Sequence, residues 1–226
     1  MNNKKYILFD LDGTLTDPAE GITNSVAYAL KKFGILVKDK TILNSFIGPP
    51  LWSSFQKFYG FSQEKSNLAV EYYREYFKDK GIFENIEYNG IKELLSSLKQ
   101  NKKTLIVATS KPTVFAVRIL EYFDLSCYFD FVFGSELDGT RAKKDEVIAY
   151  ALEKCGIADV KKTVMIGDRE HDVIGAKKNG VESIGILYGY GDYTELEQAG
   201  ADFIIESVAK LGELLLSKPE EKNNDF

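Results

Sequence analysis

The amino-acid sequence predicts an α/β protein built on a doubly wound parallel sheet, interrupted near its start by an all-helical insertion. Three observations carry that expectation. The apolar run Tyr6-Ile7-Leu8-Phe9 reads as a strand buried on both faces. From about residue 90 onward, strand-length apolar runs alternate with amphipathic stretches of helix length, the rhythm of parallel strands joined by crossover helices. Between them, residues 17 to 81 keep helical spacing and contain no strand-like run.

A chain of 226 residues suits one domain with an inserted module. With 29 basic and 34 acidic residues the net charge is -5, which speaks against a nucleic-acid polymer or an anionic membrane as partner. A small anionic substrate would then need cations placed locally. The two cysteines, Cys127 and Cys155, stand in no metal-ligand spacing and read as buried free thiols rather than a zinc site or disulfide framework. Met1-Asn2-Asn3-Lys4-Lys5 carries no apolar signal core, and no apolar stretch approaches the roughly 20 residues of a membrane span, so a cytoplasmic protein is expected. No motif speaks to the oligomeric state.

After the first strand, Ile22, Val26, Ala29, Leu30 and Phe33 recur at helical spacing until Gly34. Helices at 40–46, 51–59 and 64–80 follow, separated by the breakers Ile47-Gly48-Pro49-Pro50 and Gly60. The chain would cross into and out of this block near residues 16–20 and 82–88, which sets a discontinuous sheet domain of 1–16 and 86–216 around a helical domain of 17–85. Beyond Asn89-Gly90 the expected order is helix 91–99, strand 104–109, helix 112–123, strand 131–133, helix 144–154, strand 163–166 and helix 170–178. Strands at 183–187 and 202–205 and a helix at 208–216 complete it. Pro112 suits a first helical position. The polar, aperiodic tail 217–226 reads as disordered. Substrates of such a sheet bind at the carboxyl ends of its strands.

The first strand delivers Asp10-Leu11-Asp12-Gly13-Thr14 to such an end. If the pleat ran on, Asp10 and Asp12 would point the same way, and Gly13 lets the chain turn beside them. Two carboxylates that close repel unless a cation sits between them, which suggests a divalent metal and phosphate chemistry. Phe9-Asp10-Leu11-Asp12-Gly13-Thr14-Leu15-Thr16-Asp17 resembles the first motif of the haloacid dehalogenase superfamily, most of whose members are magnesium-dependent phosphatases. The resemblance implies a Rossmann-like core, and it makes the helical insertion the cap of that superfamily's first cap class.

Three further motifs follow in the family order. Val107-Ala108-Thr109-Ser110 ends an apolar strand with a hydroxyl, and Ser110 reads either as an ordinary helix cap or as a phosphate ligand beside a helix N-terminus. Arg141-Ala142-Lys143-Lys144 puts cations at a helix start, against the helix dipole. Lys144 fits the family spacing for the lysine that neutralises nucleophile and phosphate, with Lys143 the alternative and a solvated surface charge the bland reading. Gly167-Asp168-Arg169-Glu170-His171-Asp172 follows another apolar strand. By resemblance Asp168 joins Asp10 and Asp12 around Mg²⁺, for which hard oxygen ligands are suited. Asp172 would ligate directly or orient the metal's waters, and His171, the only histidine, is assigned to support of that loop. Gly13 and Ser110 join Lys144 as phosphate-binding residues.

The resemblance spans residues 4 to about 215. Leu187-Tyr188-Gly189-Tyr190-Gly191 and Leu137-Asp138-Gly139-Thr140-Arg141 look like the phosphoglycolate phosphatase-like branch, especially its bacterial 5'-nucleotidase-like members. It implies a phosphoric monoester hydrolase in which Asp10 attacks phosphorus, an aspartyl-phosphate forms, and Asp12 acts as acid and then base. The substrate would be a small phosphorylated metabolite, a 5'-nucleotide first, with phosphoglycolate or another small phosphomonoester as alternative. Asp12 argues against a dehalogenase, a phosphomutase would share all four motifs, and a non-enzymatic phosphate-ligand sensor should have lost some of the acids. Trp52 and Phe55, beside the Pro49-Pro50 corner, read either as cap core or as an apolar wall over the leaving group.

Overall fold

In a computed structural model, which describes residues 1 and 3–217, the chain forms a six-stranded, all-parallel sheet flanked by helices. Strand β1 (Tyr6–Phe9) is central, pairing on one side with β4 (Thr104–Pro112) and on the other with β6 (Thr163–Gly167). With β5 (Phe131–Ser135), β7 (Glu182–Ile186) and β8 (Phe203–Ile205) the order is β5-β4-β1-β6-β7-β8. The chain thus winds outward to one edge, returns to the middle and winds out to the other. The return places a crevice at the carboxyl ends of β1 and β6, where ligands of such sheets bind.

Alternation along the central strands builds two cores. Leu8, Ile106 and Met165 face the helices α6 (Lys144–Lys154) and α7 (Glu170–Lys178) through Val147, Ile148, Ala151 and Ala176. Ile7, Phe9, Leu105, Val107, Val164 and Ile166 face the opposite way, into the cluster that contains residues of α4 (Ile91–Gln100), α5 (Thr113–Tyr122) and α9 (Val208–Leu216). Burial on both faces is why these strands read as unbroken apolar runs.

The helical insertion consists of α1 (Ala19–Lys32), a 3₁₀ segment Lys40–Phe46, α2 (Leu51–Tyr59), α3 (Gln63–Tyr76) and a π-helical turn Phe77–Gly81. Where the chain leaves and rejoins the sheet, β2 (Thr16–Asp17) and β3 (Ile86–Glu87) form an antiparallel ribbon, Thr16 opposite Glu87 and Asp17 opposite Ile86. Two-residue strands are too short to show a period, so the sequence could not display them. The helix α8 (Tyr193–Ala199) was also unexpected. Its signals are present, since Asp192 caps it and Gly200 ends it in the left-handed region, but Leu196 is its one buried apolar residue and gives no stripe to read.

Three expectations need correction. Strand β4 runs on through Pro112, with a register shift against β5 between Ala108 and Pro112, so Ser110 and Lys111 lie on a strand end rather than at a helix start. The thiols are not both buried: Cys127 is exposed and Cys155 partly so. The disorder expected for 217–226 falls, from residue 218 on, outside the described residues.

Candidate active site

The strand ends at the crevice bring three carboxylates together. Asp10 follows β1, its N–H donating to Ile166 O at 2.9 Å, Asp168 follows β6, and Asp172 lies in the first turn of α7. Carboxylate oxygens of Asp10, Asp168 and Asp172 all lie within 4.8 Å of one another, and all three residues are buried. Lys144, the first residue of α6, reaches in from the side. Its Nζ is 2.8 Å from Asp10 Oδ1, 2.8 Å from Asp172 Oδ1 and 3.1 Å from Ala108 O. Lys143 is the N-cap residue and points to solvent, so of the two candidates it is Lys144 that the fold places in the site.

Electrostatics show what this cluster lacks. Burial, reinforced by the charges of Asp172 and Asp10, holds the Asp168 carboxyl well above the ordinary range. Burial also pushes Asp172 up, against the pull of Lys144. For Lys144 burial opposes the ammonium, but the charges of Asp10 and Asp172 outweigh it and its pKa rises. Three carboxylates meet one ammonium here, and the uncompensated charge matches a divalent cation held by hard oxygen donors.

Asp12 stands apart from that cluster. Among the described residues, the acidic group that fits a cation contains Asp10, Asp168 and Asp172. Strand β1 ends at Phe9, and the Leu11 N–H donates to Asp10 Oδ1 at 2.7 Å. Asp12 Oδ2 pairs with Lys111 Nζ at 2.6 Å, while its Oδ1 is buried without a hydrogen-bond partner. Burial raises the Asp12 pKa, with Lys111 opposing.

At Gly13 the backbone N–H donates to Thr16 O at 2.8 Å. Its φ is +80°, and a Cβ there would sit 2.2 Å from Asp168 Oδ2, so glycine makes room for the neighbouring carboxylate. Ser110 borders the cleft beside Asp12, and its carbonyl accepts from Ser135 Oγ at 2.8 Å. His171 is half-buried on α7, outside the acidic cluster, and burial lowers its pKa.

Several participants were missed in the sequence. Lys111 follows Ser110 at a buried strand end, and an ammonium in that setting needs an anion; that was the available signal. Tyr190 gives its N–H to Asp168 Oδ2 at 2.8 Å and its hydroxyl to Asp17 of the ribbon. Tyr188 donates to Thr14 O at 3.2 Å. The cleft at Asp12 is also lined by residues of the helical insertion, Pro49, Pro50, Trp52, Tyr73 and Arg74. Trp52 is 40% exposed, whereas Phe55 is 0% exposed in the core.

Comparison with known proteins agrees with this geometry. The model of the haloacid dehalogenase-like hydrolase family matches residues 7–186. The chain is 47% identical over 211 residues to a 5'-nucleotidase of Pseudomonas aeruginosa, covering 93% of this chain and 95% of that protein. It is 36% identical over 187 residues to the tyrosine-protein kinase PtkA of Mycobacterium tuberculosis, covering 83% of this chain and 63% of that one. Among solved structures, that of a predicted phosphatase from Clostridium acetobutylicum superposes with a TM-score of 0.92 at 55% identity, covering 95% of this chain and 99% of the other. The chain belongs to the haloacid dehalogenase-like hydrolase family and is an enzyme of its phosphatase type.

Proposed function

We propose that the chain is a Mg²⁺-dependent phosphomonoester hydrolase that works through an aspartyl-phosphate on Asp10, with a 5'-nucleotide as substrate. One observation supports the mechanism: Asp10 and Asp12 pair with different lysines, Lys144 and Lys111, at the strand switch point. Asp10 Oδ1 is tied to Lys144 and the Leu11 N–H, which leaves Oδ2 to attack phosphorus. Asp12, raised by burial, gives its proton to the leaving oxygen and as carboxylate later takes one from water. Lys144 and the Ser110 hydroxyl stabilise charge on the phosphoryl oxygens. Asp10, Asp168 and Asp172 would hold the metal, which when bound supplies positive charge against the nucleophile and the transferring group. Helical residues 17–85 act as the cap over a core of 1–16 and 86–216, and the β2–β3 ribbon serves as hinge.

The choice of a nucleotide is supported by the identity to the Pseudomonas 5'-nucleotidase and by Trp52 at the roof of the cleft. A second reading, phosphoglycolate, is favoured by Arg74. Its half-buried guanidinium borders the same cleft with no ion-pair partner among the described residues, and it would suit a carboxylate. We further propose a cytoplasmic enzyme acting on small metabolites; no helix among the described residues is long and apolar enough to cross a membrane. Hydrolysis of a panel of phosphate esters by the purified protein, with and without Mg²⁺, tests the function. Turnover of 5'-nucleotides above other esters is expected, and no phosphate release from any ester would refute it.

A further inference from the structure

Arg169 joins the loop of the acidic cluster to the cap. From the core side it is clamped: its own N–H donates to Asp172 Oδ2 at 3.1 Å, and its Nε donates to Glu195 Oε1 at 2.8 Å. Glu195 Oε1 also accepts the Glu170 N–H at 2.8 Å, which fixes the carboxylate that orients the guanidinium. From the cap side, Arg169 Nη1 donates to Ile47 O at 2.7 Å. Ile47 is the last residue before the Gly48-Pro49-Pro50 corner, and the corner rests on the arginine's stem. Gly48 has φ +98°, and a Cβ on it would lie 3.0 Å from Arg169 Cγ. Two prolines with fixed φ then lead directly into α2, whose second residue is Trp52, so a tie at Ile47 is transmitted to the roof of the cleft.

We propose that Arg169 is a positioning residue that seats the Pro49-Pro50-Trp52 wall over the bound leaving group. The inference rests on the functional reading above for its substrate, but not for its mechanics. A planar guanidinium with a fixed fork of donors is suited to hold two acceptors in different domains at once, which an ammonium cannot do in the same geometry. The tie must be released whenever the cap swings away, and it is remade when the cap closes.

The test uses Arg169→Met and Arg169→Lys in the full-length protein, with two readouts. Trp52 is the sole tryptophan, so acrylamide quenching of intrinsic fluorescence in the substrate-free protein reports the seating of the wall alone. Quenching should rise in Arg169→Met and lie between wild type and Met in Arg169→Lys. The second readout is kcat and KM for a 5'-nucleotide and for ethyl phosphate, which has no ring to reach the wall. Loss of one charge-assisted hydrogen bond should raise the nucleotide KM about tenfold in Arg169→Met, and the ethyl phosphate KM much less. Unchanged quenching in a folded Arg169→Met protein overturns the proposal, as does an equal loss on both substrates without a change in quenching. Should Arg169→Met not fold, Glu195→Ala keeps Arg169 but removes the carboxylate that orients its guanidinium; increased Trp52 quenching supports the tie and unchanged quenching overturns it. If nucleotides prove not to be substrates, the quenching still decides on Arg169 separately.

Discussion

Lys111 Nζ lies 2.6 Å from Asp12 Oδ2 and 4.6 Å from the centre of the Phe77 ring, so one lysine at the end of β4 is held between Asp12 and an aromatic of the helical insertion. In the proposed mechanism this pair separates the duties of two aspartates only two residues apart. Lys144 pairs with Asp10 and Asp172, and Lys111 with Asp12, so the two aspartates have different counter-charges.

Removing that counter-charge should act on the leaving group. In Lys111→Met the Asp12 carboxylate loses the nearer of the two lysines that oppose its burial, its pKa rises further, and it becomes a weaker acid. Protonation of a poor leaving group then slows most. The kcat/KM for an alkyl phosphate should fall by about 10²-fold, within the range of general acid catalysis, and that for p-nitrophenyl phosphate by much less. Equal losses on the two esters, measured side by side, would contradict Asp12 as the acid.

Asp10→Asn should abolish turnover without unfolding the protein, since the amide is a very poor nucleophile of the same shape. The sign of the stability change is informative. Neutralising one of three clustered carboxylates removes repulsion with Asp168, so the melting temperature in metal-free buffer should not drop. A cleanly folded Asp10→Asn protein that still turns over phosphate esters would sink the mechanism.

Metal removal gives an outcome that does not depend on catalysis. A ligand that binds only the folded state raises its stability with concentration. Mg²⁺ should therefore raise the melting temperature of the wild-type protein, and EDTA should abolish both that rise and activity. Asp168→Asn should lose most of the Mg²⁺-dependent rise, whereas Asp12→Asn should retain it, because Asp12 lies outside the acidic cluster. A calorimetric titration showing equal loss in the two variants would return Asp12 to the ligand set.

Much of the fold was legible because periodicity is a property of the sequence itself. The runs that became β1 and β6 are apolar on both faces, and α6, α7 and α9 start and stop at the expected residues. The acids at strand ends were legible too, since Asp10, Asp168 and Asp172 follow strands that could be read. What could not be read is which way a side chain turns once the strand has ended. The pleat that would align Asp12 with Asp10 stops at Phe9, and the Gly13 N–H turns back to Thr16 O, a bond that no spacing displays. Lys111 and Arg169 escaped for a different reason. Each acquires its partner only when segments distant in sequence meet, Asp12 for one and Ile47 with Glu195 for the other.

The division between Trp52 and Phe55 yields the last prediction, on substrate choice. Both sit on α2 three residues apart, yet Phe55 is wholly buried, packed against Phe46 and Phe61 at ring distances of 5.0 and 5.9 Å, while Trp52 borders the cleft. Phe55→Ala should therefore cost stability, about 3 to 5 kcal/mol for a buried phenylalanine, and reduce activity on every substrate in proportion to the folded fraction. Trp52→Ala should leave the melting temperature nearly unchanged. If a nucleobase stacks on Trp52, a contact worth about 1 to 3 kcal/mol, the variant's KM for a 5'-nucleotide rises by roughly 5- to 150-fold while that for phosphoglycolate, which has no ring, stays close to wild type. A parallel rise for both esters would remove Trp52 from substrate selection. Arg74 would then be the next roof residue to test, through the KM of Arg74→Gln for phosphoglycolate.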